Sequence, residues 1–600
     1  MKLPSFDQIF RGAIETLFRF PLVLCSAVAG TVSALILVDH EGPESPTVLF
    51  KILFASILGV SFLLGLALFA EKKSWSRSRS LGIQLAGVAL LVGYAFTVPS
   101  VLASGPAFHI ERLLVLSVAT LMFVSVAPFL NSGEQNGFWH YNKALIFRIL
   151  GSALYSHILY LGLCLALAAL DKLFGFDIPA KRYGELWIIT FGILNTWLFL
   201  AGIPGDMGSL EKVTEFPKSL RILVQYALGP LAVVYLVIVY AYIAKIMISW
   251  EWPVGWVSSL ILGFSVTGML SIVLMHPVRE GSEAGWVKGA SRWLYIAMIP
   301  LVIVFPLALW RRISEYGITE ARYTALVLAA WLIFIVLYFL FSKSKSIKAF
   351  PASLGLVSLA VAYGPWGMFD ISEHDQVRRL REILVRDSIL VESALRKPSG
   401  PVSQADSKQI SSILSYLHEV HGFEGIRPWF GQSLHEDSSG ASQKWKSAAD
   451  VAGMLGVEFV RTWPGGGGNM ATFTMNADVS IDVKGFDRMK RFQYVDRGGF
   501  KKEIAGEAIT FEFTRSLDTL AIRNMVGGGG LLQIELHSIA AGLLKAYANE
   551  SVGNVPPEKM TVGGVREGLK VKVFVRNMQV RRRGETIEVN NISADIYYSK

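Results

Sequence analysis

Few residues in this sequence combine the types and spacing that chemistry needs. The best metal-ligand set is His418-Glu419-Val420-His421, with Glu424 beyond it. Histidines three apart on a helix share a face, as a zinc pair requires. The order is not H-E-x-x-H, and no third ligand is placed by sequence. His418 and His421 are therefore the pair to check, but no metal and no other cofactor is expected. The serines near His435 and Asp437 lack the strand-turn-helix setting of a nucleophile elbow. Two tetraglycine runs, 465–468 and 527–530, lack the Lys-Ser/Thr that completes a phosphate-binding loop and read as flexible loops.

Ionisable groups in apolar runs form the second set, because they are costly in a bilayer and often functional. His157 lies beside Ser152, Ser156 and Tyr160 and reads as a hydrogen-bonded interior histidine. Lys245 shares a stripe with Tyr235 and Tyr242 and reads as snorkelling to the interface. No Asp or Glu falls at the centre of a run, where an ion or proton path would usually place one. A third set is the charged turn at 311–322. Gly317 suits the left-handed end of one helix, and Thr319 with Glu320 suits the start of the next. That leaves Arg312, Glu315 and Arg322 spare, either as an ion-pair cluster or as a grip on a lipid phosphate.

The elements that position these residues follow from composition. The chain has 600 residues, 52% hydrophobic and 17% charged. Ordinary soluble proteins carry about 25% charged residues. Up to Phe369 the sequence is a series of apolar runs near the ~20 residues that cross a bilayer as a helix. Eleven are predicted: 16–38, 48–70, 81–104, 110–130, 148–170, 185–203, 222–247, 254–275, 292–310, 322–341 and 349–368. In the eighth, Gly255, Ser259, Gly263, Thr267 and Ser271 recur every four residues, a helix-packing seam. The connecting segments carry 18 basic residues on the side that includes the N-terminus and 8 on the other. Basic loops stay in the cytoplasm, so the N-terminus is expected inside and, with eleven crossings, the tail outside. The basic excess sits in this apolar part: residues 370–600 hold 30 Lys+Arg against 28 Asp+Glu. Nucleic acid is thus not an expected partner, while membrane lipids and an envelope protein are.

The exit from the last run places Ser372 as an N-cap with Asp375 three residues on, opening an amphipathic helix. The expected domains are a multi-span region 1–369, a connecting helix and linker 370–400, and an α+β domain 401–600. Helices at about 406–420 and 446–456 precede alternating strands at 472–483, 509–513, 571–575, 587–589 and 592–596, with a helix at 531–548 and a hairpin after Arg581–Arg583. The only cysteines, Cys25 and Cys164, lie in apolar runs, which excludes a disulfide framework in the tail.

The segments RISEYGITEAR at 312–322 and YGPWGMFDISEHDQVRRL at 363–380, behind a series of apolar spans, resemble the bacterial inner-membrane family called domain of unknown function 4153, over residues 15–425. The resemblance implies a multi-spanning bacterial envelope protein and assigns no catalytic residue. The leading expectation is a non-enzymatic envelope protein whose extracytoplasmic domain binds a ligand or partner. The alternatives are a transporter or lipid-handling protein, and an envelope enzyme acting on a lipid-linked substrate through Glu315, His374 or Asp375.

Overall fold

The computed structural model describes residues 6–40, 47–98, 108–213, 222–249, 263, 273–274, 284–342 and 346–599, apart from 393, 399, 401, 432, 436–444, 461–469, 477–481, 496–502, 506–508, 514–518, 525–530, 548–551, 567–568 and 584–585. The chain divides into two units, Met1–Glu382 with Leu417–Lys446, and Ile383–Tyr416 with Ser447–Lys600. Composition places a boundary at 369; the first of these units runs through most of the connecting helix and takes in Leu417–Lys446.

The first unit is helical. A short amphipathic helix, α1 (Phe6–Arg19), precedes the spans. Nine helices among the described residues are long and apolar enough to cross a membrane. They are α2 (Pro21–Asp39), α3 (Thr47–Lys72), α4 (Arg77–Thr97), α5 (Phe108–Phe129), α6 (Gln135–Phe174), α7 (Lys181–Ala201), α8 (Tyr226–Ser249), α9 (Ala284–Tyr316, apolar from Tyr295) and α10 (Glu320–Phe341). The predicted run 254–275 lies largely outside the described residues, as do Gly255, Ser259, Thr267 and Ser271 of its seam. Gly263 is described, with open space where a Cβ would point.

The last predicted run becomes α11 (Ala349–Ala362), only 14 residues long. Its length is misleading, because it lies antiparallel along the whole of α5. At one end Lys348 Nζ donates to Ser132 O at 2.8 Å and to Phe129 O at 3.4 Å. Midway, Gly355 lies against Met122 and the Ala119 carbonyl. At the other end the Tyr363 ring lies 5.0 Å from the Arg112 guanidinium, and Phe369 packs on Phe108 with ring centroids 5.3 Å apart. The chain therefore enters α11 at one end of the bundle and leaves it at the opposite end.

The Lys348 end is laced by basic residues. Lys72 pairs with Glu134 at 2.6 Å, and both Lys72 and Lys348 lie over the Phe129 ring, at 5.0 and 5.7 Å. Arg19 pairs with Glu71 and donates to the carbonyls of Ile203 and Pro204. Arg19 of α1 and Lys348 thus serve carbonyls at or just past the ends of α7 and α5, where helix ends otherwise lack donors.

The second unit holds α14 (Ala448–Met454), α15 (Leu536–Ala546) and the strands, beginning with a short antiparallel pair, β1 (Leu390–Val391) and β2 (Ala394–Leu395). Ser447 and Asp450 form a reciprocal capping box at the start of α14. A six-stranded sheet is built around the long hairpin of β11 (Leu569–Arg583) and β12 (Thr586–Ser599), closed where Arg583 pairs with Thr586. β4 (Arg488–Val495) flanks β12; β3 (Met470–Met475) and β10 (Thr561–Arg566) flank β11; and β9 (Val552–Val555) is parallel to β3. Four further strands, β5 (Glu503–Ala505), β6 (Ile509–Phe513), β7 (Thr519–Asn524) and β8 (Leu531–Glu535), form an antiparallel sheet. Phe473, Val573, Val575, Ile592 and Ile596 bury one face of the larger sheet with Leu536, Ala540 and Leu543 of α15. The predicted helix 531–548 thus splits, because Leu531–Glu535 pairs with β7 before the helix begins.

On the other face of the hairpin, Asp595 is buried yet charged. Arg576 Nε donates to its Oδ2 at 2.6 Å and Arg491 Nε to its Oδ1 at 2.8 Å. Burial alone would raise this carboxyl, but the bonds from Arg491 and Arg576 outweigh it and hold it below its ordinary 3.8. A carboxyl lowered by folding stabilises at neutral pH, and that contribution disappears as pH falls through its folded value. Asp595→Asn is expected to cost the unit about 1–2 kcal/mol at neutral pH, a modest figure because both guanidiniums are half exposed. Below about pH 4 the difference from wild type should shrink. Pulse proteolysis across denaturant at both pH values measures this.

Candidate functional site

The charged residues singled out by sequence converge at the end of the bundle where the chain leaves α11. Gly317 adopts φ +77° and its N–H donates to Ile313 O at 2.8 Å, which ends α9. The positive φ demands glycine, and a Cβ there would meet Gln376 Nε2 at 2.5 Å and Arg379 Nε at 2.7 Å and push aside the side chains that serve the turn. The intruding side chains come from α12 (Met368–Arg386), the amphipathic helix that follows the exit.

α12 satisfies the backbone of the α9–α10 turn. Asp375 Oδ2 accepts the Ile318 N–H at 2.7 Å. Arg379 Nη2 donates to the carbonyls of Ile313 and Ser314, and Gln376 Nε2 to those of Tyr316 and Ile318. Arg322 Nη1 adds bonds to Tyr316 O at 3.1 Å and Gly317 O at 2.7 Å. Cations at a helix C-terminus also oppose its negative dipole end. Asp375 in turn pairs with Arg378 at 2.6 Å and Arg379 at 3.2 Å. The Asp375 hydrogen bond, first, and its charge hold the Arg378 guanidinium above its ordinary range.

Three expectations change here. Thr319 occupies the N-cap of α10 but makes no side-chain cap bond. Ser372 is not an N-cap: α12 starts at Met368, and the Ser372 hydroxyl is buried inside it without a partner. Asp375 is therefore free to reach across to Ile318 and does not close a capping box. Arg312, Glu315 and Arg322 do not form an ion-pair cluster. Arg322 is occupied by carbonyls and the Tyr316 ring, Arg312 is half-buried and Glu315 is exposed.

Beneath this turn lies a histidine among carboxylates. Helix α13 (Gln404–Val420) ends where His421 N and Gly422 N both donate to Leu417 O, with Gly422 at φ +78°. The His421 side chain is 3% exposed; its Nε2 lies 2.7 Å from Oε1 of Glu320, itself 6% exposed, and its Nδ1 lies 3.9 Å from Glu373 Oε2. Phe108 stacks on the imidazole at 6.1 Å, and Glu111 stands close enough to feel the charges of Glu320 and His421. Only the Nε2–Glu320 contact is within hydrogen-bond distance; Glu373 at 3.9 Å is close enough for charge attraction but not for a hydrogen bond. Carboxylate–imidazole pairs serve acid–base chemistry where substrate reaches them, but these two side chains are enclosed. Their evident role is to hold the Leu417–Lys446 segment on the bundle end.

The other sequence candidates scatter. His418 turns to the Phe423 ring at 5.8 Å, away from His421's partners. Among the described residues, no group of three His, Cys, Asp or Glu is placed to hold a metal ion. His157 is exposed, not interior; its Nδ1 contacts Ala153 O at 2.8 Å and its ring meets Phe191 edge-on. Lys245 is exposed on α8, while Tyr235 and Tyr242 pack against the apolar core. His374 is exposed and bonds its own helix at Asp370 O. Sequence reasoning overlooked Arg112, whose guanidinium lies over the rings of Phe108, Tyr363 and Phe369.

Glu320→Ala is expected to destabilise the detergent-solubilised protein by about 3 kcal/mol or more, since it strands a buried partner. In a double-mutant cycle, Glu320→Gln and His421→Asn should couple by more than about 1 kcal/mol. Arg312→Ala and Glu315→Gln should instead add within about 0.5 kcal/mol. Thermal unfolding of these seven variants against wild type decides all three.

An uncharacterized protein of Pasteurella multocida (strain Pm70) is 23% identical over 274 residues, which is 44% of this chain and 45% of that relative. The chain thus spans less than half the length of the relative it matches. No solved structure matches it. The family profile described as Domain of unknown function (DUF4153) matches residues 23–384, from α2 into α12, so it includes the Gly317 turn and its Asp375 and Arg379 partners but not His421. The chain is a multi-span membrane protein and belongs to the DUF4153 family.

Proposed function

We propose that this chain is a bacterial inner-membrane protein that carries its C-terminal α+β unit outside the cytoplasm, where that unit binds a ligand or an envelope partner. One observation supports this most strongly. The chain leaves α11 at the bundle end opposite the cluster of Arg19, Lys72 and Lys348. The exit end has arginines too, but among the described connecting segments up to Ser249 nine basic residues lie on the Arg19 side against five on the exit side. The more basic side stays in the cytoplasm, because anionic lipid and the membrane potential oppose its export. The exit end also carries exposed Tyr316, Tyr363 and Trp366, the aromatic residues favoured at headgroup level. This reasoning is independent of the number of crossings between Ser249 and Ala284. A non-enzymatic role fits best because the acid–histidine pair at the exit end is enclosed and Asp375 is fully engaged with backbone and arginine.

An alkaline phosphatase fused after Lys600 is expected to be active, and a green fluorescent protein at the same position dark. The reverse pattern would place the unit in the cytoplasm and overturn the proposal.

A further inference from the structure

Arg112 stands in the second turn of α5, at the bundle end where the chain leaves α11. Its guanidinium carbon lies 5.0 Å from the Phe108 ring centroid, 5.0 Å from that of Tyr363 and 4.8 Å from that of Phe369. Three rings thus surround one cation. Each offers attraction to its charge and none offers an acceptor to its N–H groups. Nε is buried without a hydrogen-bond partner, and among the described residues no carboxylate is paired with the guanidinium. Asp370 and the Tyr94 hydroxyl are near enough to influence its charge but not bonded to it. Every other arginine at this end that holds structure does so through hydrogen bonds: Arg322 and Arg379 to carbonyls, and Arg378 to carboxylates. Arg322 also lies over the Tyr316 ring, but Arg112 alone among these has rings without such bonds.

An arginine presents five donors in a planar fork that matches phosphate oxygens two at a time. Rings against the guanidinium hold it in place and leave those edge donors unspent. The surrounding Tyr363 and Trp366 are exposed, as expected where a bilayer meets water. We propose that Arg112 and its cage of Phe108, Tyr363 and Phe369 bind a phosphate-bearing anion at the membrane surface. The phosphate comes from a phospholipid headgroup or from free phosphate; the fork recognises the same oxygens in both.

Phenylglyoxal modification of Arg112 in the delipidated full-length protein tests this, read by peptide mass spectrometry. Three additions are compared: short-chain phosphatidylglycerol, inorganic phosphate, and short-chain diacylglycerol, which lacks the phosphate. Phosphatidylglycerol is expected to protect Arg112, and diacylglycerol is not. Equal protection by inorganic phosphate would identify the free ion as sufficient and keep the site; protection by the lipid alone would identify the headgroup. Failure of both phosphate compounds, or equal protection by diacylglycerol, would overturn the proposal. In Arg112→Lys, which keeps charge but loses the fork, binding of the protecting compound should weaken about tenfold. Unchanged binding in this variant, with the fold verified by its elution and helicity, would also overturn it.

Discussion

A helix that stops near a bilayer leaves several carbonyls pointing where water is scarce, and each must find a donor. At the end of α9 the burden is severe, because Gly317 reverses the chain at once into α10. The structure meets it with side chains from α12: Gln376 and Arg379 serve the carbonyls, and Asp375 serves the Ile318 N–H. Those bonds fix where α12 begins to run, and Glu373 on the same helix then stands beside His421. The enclosed Glu320–His421 pair, the position of the Leu417–Lys446 segment and the ring cage around Arg112 all lie on elements whose placement depends on this turn being satisfied.

The two ends of the bundle use the same chemistry in different proportions. At the Lys348 end, lysines sit over the Phe129 ring while their ammonium groups also reach carbonyls or Glu134. At the exit end, Arg112 has the rings without the acceptors. That contrast separates an arginine that builds the fold from one with donors left to offer. It also explains why charge counting along the sequence groups Arg112 with the sparse basic residues of the less basic side without revealing its role.

Most of the architecture was legible in the residues because period and run length are local. Nine of the eleven apolar runs became spans among the described residues, α13 starts within two residues of its predicted position, and the alternation of Phe473 and Met475 became a buried strand face. Local rules failed where a distant residue competed. Thr319 and Ser372 have the composition of caps, yet neither side chain caps: Thr319 holds the N-cap position without a side-chain bond, and Ser372 is drawn inside a helix that starts at Met368. Glu320 and His421 are 101 residues apart, and nothing in either neighbourhood indicates the pairing. Arg112 offers no signal in sequence, since its cage joins Phe108 of its own helix to Tyr363 and Phe369 from the exit about 250 residues later. The helix at 531–548 failed for a related reason: Leu531–Glu535 has an edge of β7 to pair with, which tertiary structure supplies and propensity does not.

The central claim is that Asp375 and its neighbours on α12 hold the α9–α10 turn closed. Amide hydrogen exchange over residues 313–322, compared between wild type and Asp375→Ala in the same detergent, tests it directly. Slow exchange in wild type and at least about tenfold faster exchange in the variant is expected, since a bond to a charged acceptor contributes roughly 1.5–3 kcal/mol. Equal protection in the two proteins would contradict it.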